Sequence, residues 1–353
     1  MSIPVTCFCV LGEKPVLEQA TVAMRPLQPD DVVLRVVASG VCHSDVHQIK
    51  SEWKGVGKAR PLVPGHEIIG VVTRAGERSV VKPGMRVGVG TLVGCCFTCE
   101  SCKAGEESYC PKGVDTYTGV HAATGIRTHG GFAEQVVVDS RFCFAIPDSL
   151  PSETAAPMLC AGITVYSPLR RWCTPQSAVA IVGIGGLGHL ALQFARALGM
   201  SKVAAITTSK DKADAAMKFG ATDVIVSSSK ADMKRFYRAF DFLLVTVSSD
   251  LPWSDYLRLL RTGGRLCLVG LPPSGKLTLV PFEIVGRRLS VCGSNTGGLR
   301  EISEMLDLAA RASVRTQVEL LPLSAEGANE AVHRVEANTP RFRCVMVPKA
   351  NAL

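Results

Sequence analysis

Apolar and polar positions alternate in short runs through the first part of the chain, as in Val32-Val33-Leu34-Arg35-Val36-Val37 and Ile68-Ile69-Gly70-Val71-Val72. Turn-forming triplets such as Lys82-Pro83-Gly84 separate these runs. A period of two with frequent turns predicts an all-β or barrel-like domain. Near Pro151 the period changes. Residues 178–182 form a short apolar run, after which Leu187, Leu190, Ala191, Phe194 and Leu198 recur at helical spacing and Gly199 offers a stop. Further strands are predicted over 203–207, 224–226, 242–247 and 265–269. Strands alternating with helices make a doubly wound parallel sheet, so the predicted class is α/β, a Rossmann-type sheet beside a β-rich domain. A helix over 299–312 and a strand over 343–347 follow.

Composition leaves this picture intact. The 353 residues are 47% hydrophobic and 20% charged, the profile of a globular chain long enough for two domains. No apolar run reaches the roughly 18–20 residues that cross a bilayer. The start, Met1-Ser2-Ile3-Pro4-Val5-Thr6-Cys7, carries no basic segment leading into an apolar stretch, and the expected compartment is the cytoplasm. A formal charge of +8 raises the question of nucleic acid, but Lys and Arg are spread thinly, in short pairs such as Arg170-Arg171 and Arg287-Arg288. With no basic stripe interleaved with aromatics, neither nucleic acid nor membrane is an expected partner.

Fourteen cysteines change the picture more. In a reducing compartment, clustered cysteines point to metal rather than disulfides. Cys96-x2-Cys99-x2-Cys102-x7-Cys110 can fold four thiolates onto one tetrahedral ion at Zn–S distances of roughly 2.3 Å. Sulfur then fills every position and no room remains for substrate, which makes the zinc structural. An iron–sulfur cluster would want a last spacing of three where this chain has seven, although Pro111 does follow Cys110. A zinc-ribbon module for nucleic acid would want separated pairs and basic flanks, whereas Glu100, Glu106 and Glu107 make this loop acidic. Cys95 is an alternative to Cys96, which the regular spacing favours. The remaining cysteines outside the candidate metal sites (Cys7, Cys9, Cys95, Cys143, Cys173, Cys267, Cys292 and Cys344) read as small buried hydrophobes.

Three further candidates are dispersed: Cys42, His66 and Cys160. A Cys2His set with an open fourth position is a known form of catalytic zinc, but spacing alone does not join residues so far apart. Taken singly, Cys160 reads as a buried thiol and His66 as a hydrogen-bonded core histidine.

The surrounding residues join them. Gly40-Val41-Cys42-His43-Ser44-Asp45-Val46-His47, Pro64-Gly65-His66-Glu67, the four-cysteine loop, Ala156-Pro157-Met158-Leu159-Cys160-Ala161-Gly162-Ile163-Thr164-Val165-Tyr166 and Gly183-Ile184-Gly185-Gly186-Leu187-Gly188-His189 occur in that order. On these pieces the chain resembles the zinc-containing medium-chain alcohol dehydrogenases, and among them the cinnamyl alcohol dehydrogenase-like branch. The resemblance covers nearly the whole chain and implies a GroES-like catalytic domain with two zinc ions per chain. It makes Cys42, His66 and Cys160 the ligands of the catalytic zinc. Glu67 lies beside the metal and can ligate it while water and substrate exchange. Asp45 accepts a hydrogen bond from His66 and fixes its tautomer. Ser44 takes the place of the hydroxyl relay, and His47 exchanges its proton with solvent. Without the resemblance, Ser44 is a turn residue and His47 a surface histidine. The implied ion lowers the pKa of a bound alcohol or polarises an aldehyde carbonyl.

Gly183-x-Gly185-x2-Gly188 follows the predicted strand and opens the predicted helix. In that context it is a dinucleotide fingerprint, with Gly183, Gly185, Gly186, Leu187 and Gly188 as cofactor-binding residues. About 20 positions on, sites for NAD carry a carboxylate. This chain has Ile206-Thr207-Thr208-Ser209-Lys210 there, and Thr208, Ser209 and Lys210 suit the adenosine 2′-phosphate of NADP(H). Asp211 lies beyond them and is expected to cap the next helix. Ser294 joins the cofactor set by resemblance.

The resemblance also places the substrate pocket at Val114-Asp115-Thr116-Tyr117, at Gly293-Ser294-Asn295-Thr296 and around Trp53. Polar Asp115 and Asn295 stand where cinnamyl alcohol enzymes tend to have aromatics, so small aliphatic or benzylic aldehydes are the expected substrates. The expected reaction is hydride transfer between NADP(H) and a primary alcohol or aldehyde, running toward aldehyde reduction because cells keep the NADP pool reduced. The catalytic domain is expected at 1–154 and 296–353 and the cofactor domain at 155–295, with a homodimer formed through an edge strand near 289–293. One rival is an NADPH-dependent conjugate or iminium reductase on the same scaffold, which loss of the relay or a ligand would signal. Another is a non-catalytic zinc- or NADPH-binding protein, which would not need Ser44 beside an open zinc.

Overall fold

The computed structural model describes residues 2–52, 59–208 and 210–349. The chain divides into two units, one of residues 1–160, 298–310 and 315–353, the other of 161–297 and 311–314.

The first unit opens with an antiparallel pair, β1 (Ile3–Cys9) and β2 (Glu18–Met24). Its central strand is β3 (Asp31–Val41), followed by β4 (Ile68–Ala75) and β5 (Arg86–Val89) as successive antiparallel neighbours. A small pair, β6 (Leu92–Gly94) and β7 (Val114–Asp115), brackets the four-cysteine loop, and β8 (Gln135–Asp139) and β9 (Phe144–Ala145) complete this part of the chain. β3 is buried at nearly every position, as its run of valines requires.

The second unit is a six-stranded parallel sheet. Its strands are β10 (Ala178–Val182), β11 (Lys202–Thr207), β12 (Asp223–Val226), β13 (Phe240–Val245), β14 (Leu260–Leu268) and β15 (Ser290–Gly293), in the order β12-β11-β10-β13-β14-β15. The chain reverses direction of growth beside β10, the switch point of a doubly wound sheet. β10 is buried throughout and packs Ala180 and Val182 with Ile206, Leu243 and Val245.

The last segment returns to the first unit as β16 (Val318–Pro322) and β17 (Arg343–Val347), giving a sheet ordered β16-β17-β3-β4-β5-β9. One edge of β3 is shared. β8 pairs with Asp31 to Arg35, and β17 pairs with Ser39 to Val41.

Several boundaries differ from the sequence expectation. The run predicted at 242–247 begins at Phe240 and ends at Val245, because Thr246 turns its hydroxyl onto the carbonyls of Val182 (2.9 Å) and Gly183 (3.0 Å). Asp211 is not the helix cap. Residues Lys210–Lys212 form a 3-10 turn, and Lys212 holds the cap position of the helix Ala213–Lys218. The first unit runs to residue 160 and takes the chain up again at 298. The helix Ser152–Ala155 and the 3-10 turn Ala156–Leu159 pack on β3 and β4, which keeps Cys160 in the same unit as Cys42 and His66. No helix among the described residues is long and apolar enough to cross a membrane.

Candidate active site

β3 ends at Val41 and leads into the helix His43–Ile49, with Cys42 at the cap position. The Cys42 amide donates to Asp45 Oδ2 at 2.9 Å, and the Gly65 amide donates to Asp45 Oδ1 at 3.0 Å. One buried carboxylate thus ties the start of this helix to the loop that enters β4, and those two segments carry Cys42 and His66. His66 Nδ1 lies 3.3 Å from the same Oδ1.

Cys42, His66, Glu67 and Cys160 each bring one ligand atom to within 4.8 Å of the others. His66 Nε2 and Glu67 Oε2 are buried and have no hydrogen-bond partner among the described residues, while Glu67 Oε1 accepts from Arg343. Buried polar atoms left unpaired are costly unless a ligand takes them. With two thiols beside them, the donor set fits zinc. The hydrogen bond from Cys160 holds the Cys42 thiol well below its ordinary value against burial, and His66 and Arg343 add to the lowering. Cys160 is pushed up in turn. Burial draws His66 down, but the charge of Asp45 and its hydrogen bond prevail and hold the imidazole well above its ordinary value. Cysteine and histidine must be free of protons to hold a metal, so binding at this quartet releases protons. Burial pushes Glu67 up to about 7 in spite of Arg343.

Ser44 and His47 follow on the same helix. Ser44 Oγ lies 3.8 Å from Cys42 Sγ. His47 is 38% exposed, so it reaches solvent, and its Nδ1 stands 2.6 Å from Glu52 Oε2.

The sulfur atoms of Cys96, Cys99, Cys102 and Cys110 also lie within 4.8 Å of one another. The amides of Thr98 (3.5 Å) and Cys99 (3.3 Å) donate to Cys96 Sγ, and those of Cys96 and Lys112 donate to Cys110 Sγ, both at 3.4 Å. The Thr98 hydroxyl and the two amides draw Cys96 down to about 5. Backbone amides aimed at sulfur favour thiolate, the form that binds metal. Cys95 stands outside the four. Among the acidic residues of this loop, Glu107 is buried and accepts the Leu299 amide at 3.0 Å, at the start of the helix Leu299–Arg311.

The three fingerprint glycines have three different surroundings. Gly183 has φ +91°, and a Cβ there would lie 2.2 Å from Val247 Cγ1. At Gly188 a Cβ would lie 1.8 Å from the Gly183 carbonyl oxygen, so only glycine lets the helix Gly188–Ala197 approach the turn. At Gly185 a Cβ would meet nothing within 4 Å among the described residues, which leaves the backbone open to a ligand. Tight turn, open approach and close packing are what a dinucleotide pyrophosphate requires of this loop. Gly186 stands in the turn and Leu187 at the helix cap. Thr208 is exposed just after β11, and its carbonyl accepts the Ser228 hydroxyl at 3.1 Å. Ser209, Trp53 and the side chain of Lys210 lie outside the described residues. Ser294 leaves β15 with its amide on the Leu268 carbonyl at 3.0 Å. Asp115 and Asn295 are exposed.

Two residues of the first cluster escaped the sequence reading. Arg343 opens β17 and, although buried, meets Glu67; its only sequence signal is a charge at the head of an apolar run. Tyr117 was read only as lining the pocket. It is buried with its ring centroid 5.8 Å from that of His66, and burial and Asp45 push its hydroxyl well up. The reading of the spare cysteines as buried hydrophobes holds for Cys7, Cys9, Cys267 and Cys344. Cys95, Cys143, Cys173 and Cys292 are only half-buried, because each sits at an element end or on an edge.

Residues 28–148 match the family model of the alcohol dehydrogenase GroES-like domain, and residues 186–311 match that of the zinc-binding dehydrogenases. A probable cinnamyl alcohol dehydrogenase 3 of Oryza sativa subsp. japonica is 41% identical over 334 residues, covering 94% of this chain and 89% of that one. An NADP-dependent alcohol dehydrogenase C 1 of Mycolicibacterium smegmatis is 40% identical over 346 residues, 97% of each chain. Among solved structures, a cinnamyl alcohol dehydrogenase of Sorghum bicolor superposes with a TM-score of 0.91 at 38% identity, over 98% of each chain.

Proposed function

The chain belongs to the zinc-binding alcohol dehydrogenase family, and from that membership we propose that it reduces small aliphatic or benzylic aldehydes to primary alcohols with NADPH. The observation that carries this reading is the quartet of Cys42, His66, Glu67 and Cys160, in which His66 Nε2 and Glu67 Oε2 are buried without a hydrogen-bond partner among the described residues. Cys42, His66 and Cys160 would hold the catalytic zinc, and Cys96, Cys99, Cys102 and Cys110 a structural one. When bound, zinc polarises the substrate oxygen and the dinucleotide gives or takes the hydride.

The protein's own groups do the rest. Asp45 keeps the His66 proton on Nδ1 and so leaves Nε2 free as a donor. Glu67, held by Arg343, would offer the ion a further carboxylate oxygen. Ser44 moves the substrate proton at its hydroxyl toward the nicotinamide ribose, and His47, steadied by Glu52, returns it to solvent. The first unit serves as the catalytic domain and the second as the dinucleotide-binding domain. Gly183, Gly185, Gly186, Leu187 and Gly188 receive the pyrophosphate. Thr208, Ser209 and Lys210 take the 2′-phosphate, and Ser294 joins the cofactor set. The name of the mycobacterial relative supports the choice of NADP(H).

β15 forms one outer edge of the parallel sheet, and Leu271, Phe282 and Val285, in the segment between β14 and β15, are among the most exposed apolar residues. Covering them in a second copy supports a homodimer built on that edge. Fourteen free cysteines fit the reducing conditions of the cytoplasm.

The test is oxidation of NADPH and NADH across an aldehyde panel, with Cys160→Ala alongside. Turnover with NADPH that the variant loses supports the whole assignment. Cinnamaldehyde turned over far faster than hexanal or benzaldehyde would overturn the substrate class. No turnover on any aldehyde would overturn the reaction.

A further inference from the structure

His189 follows the last glycine of the fingerprint and is fully buried at the second position of the helix Gly188–Ala197. Its Nδ1 lies 2.9 Å from the Gly185 carbonyl oxygen, and its backbone amide donates to the same oxygen at 3.1 Å. A carbonyl only accepts, so Nδ1 carries the proton and donates it. The ring meets Phe219, at the end of the helix Ala213–Lys218, edge to face with centroids 5.4 Å apart. A hydrogen bond and a ring contact together set the imidazole's orientation.

A phosphate accepts hydrogen bonds and repels carbonyl oxygens, so a loop that receives one must turn its own carbonyls away. Two side chains other than the glycines do this. The Thr246 hydroxyl donates to the Gly183 carbonyl at 3.0 Å, and His189 donates to that of Gly185. The peptide from Gly185 to Gly186 is planar and trans, so its C=O and N–H point in opposite directions. With the carbonyl drawn toward the helix, the Gly186 amide faces away from it. We infer that His189 is a positioning residue for the dinucleotide: through the Gly185 carbonyl it holds the Gly186 amide toward the pyrophosphate. This role rests on the NADP(H) reading of the fingerprint. It passes through the peptide and not through direct contact, since the Nδ1 proton is taken by the carbonyl. One hydrogen bond's net contribution to that orientation corresponds to about 3–10-fold in affinity.

Two substitutions separate the hydrogen bond from the packing. His189→Asn keeps an N–H donor where Nδ1 stands but gives up the ring against Phe219. His189→Leu keeps an apolar side chain of similar bulk there but donates nothing, and the Gly185 carbonyl retains the backbone amide. Titration calorimetry on the zinc-loaded protein measures NADPH and adenosine 2′-phosphate, which lacks the pyrophosphate, while thermal unfolding ranks stability. A parent protein that does not bind NADPH would remove the cofactor reading and this role together. With binding present, His189→Leu should weaken NADPH about 3–10-fold and leave adenosine 2′-phosphate unchanged. His189→Asn should hold NADPH affinity within about twofold despite the lower melting temperature of the two. Unchanged NADPH affinity in His189→Leu, an affinity that follows melting temperature across the variants, or an equal loss for both ligands would overturn the role of His189 and leave the cofactor reading standing.

Discussion

Asp45 Oδ1 stands 3.3 Å from His66 Nδ1, and on the other side of the ring the buried His66 Nε2 has no hydrogen-bond partner among the described residues. The carboxylate both orients the imidazole and raises its basicity. Asp45→Asn keeps the size but not the charge, and zinc affinity at this site should fall about 10–100-fold. Competition with a chelator measures it. Unchanged affinity would reduce Asp45 to a clamp on the Cys42 and Gly65 amides.

Arg343 and Glu67 form a buried pair with side-chain exposures of 5% and 0%. Removing one partner of such a pair strands the other charge, at a cost of about 3–5 kcal/mol. Arg343→Leu should lower unfolding stability by that amount, and adding Glu67→Gln should recover much of it. Denaturant unfolding of the two single variants and the double variant gives the coupling.

The fingerprint glycines should separate folding from binding. Gly188→Ala forces a Cβ onto the Gly183 carbonyl and should destabilise the second unit by about 1–3 kcal/mol. Gly185→Ala meets nothing within 4 Å among the described residues, so the melting temperature should hold while NADPH affinity drops. Equal losses of stability in both would contradict the separate roles.

Cys102→Ala opens the four-cysteine loop. Metal analysis should find one zinc per chain where the parent has two, with thermal stability lowered by several kcal/mol, because binding energy at a structural site is folding energy. Retention of both ions would remove Cys102 from the ligand set.

Ser44→Ala should lower kcat by about 10²–10⁴ while zinc content and NADPH affinity stay level. A change in KM alone would place Ser44 in substrate binding rather than proton transfer.

Features written in local spacing were legible before any coordinates. The four-cysteine loop and the glycine fingerprint each fit within one turn or loop, so their residues meet whatever the rest of the chain does. β10 and β17 fall on the predicted residues because short apolar runs bounded by turns leave little choice. Cys42, His66 and Cys160 could be joined only through family resemblance, since nothing in their separation says that β3, β4 and the turn Ala156–Leu159 converge. Arg343 was out of reach altogether, because its meeting with Glu67 depends on the register in which Cys344 lies opposite Val41. Asp211 and Val247 were misread for a nearer reason: a 3-10 turn and a hydroxyl seated on two carbonyls override the local propensity of single residues.

The shared edge of β3 carries a consequence for how the protein is made. β8 can close the half from Asp31 to Arg35 while much of the chain is still unsynthesised. The half from Ser39 to Val41, which leads directly into Cys42, must wait for β17. On the ribosome, that stretch of backbone stays uncovered until β17 has been made, together with the Glu67 carboxylate that Arg343 will meet. Enclosure of the buried quartet therefore follows the synthesis of β17, and an interruption shortly before Arg343 would yield a product with its first strands paired, its zinc loop formed and its reaction centre open along one side.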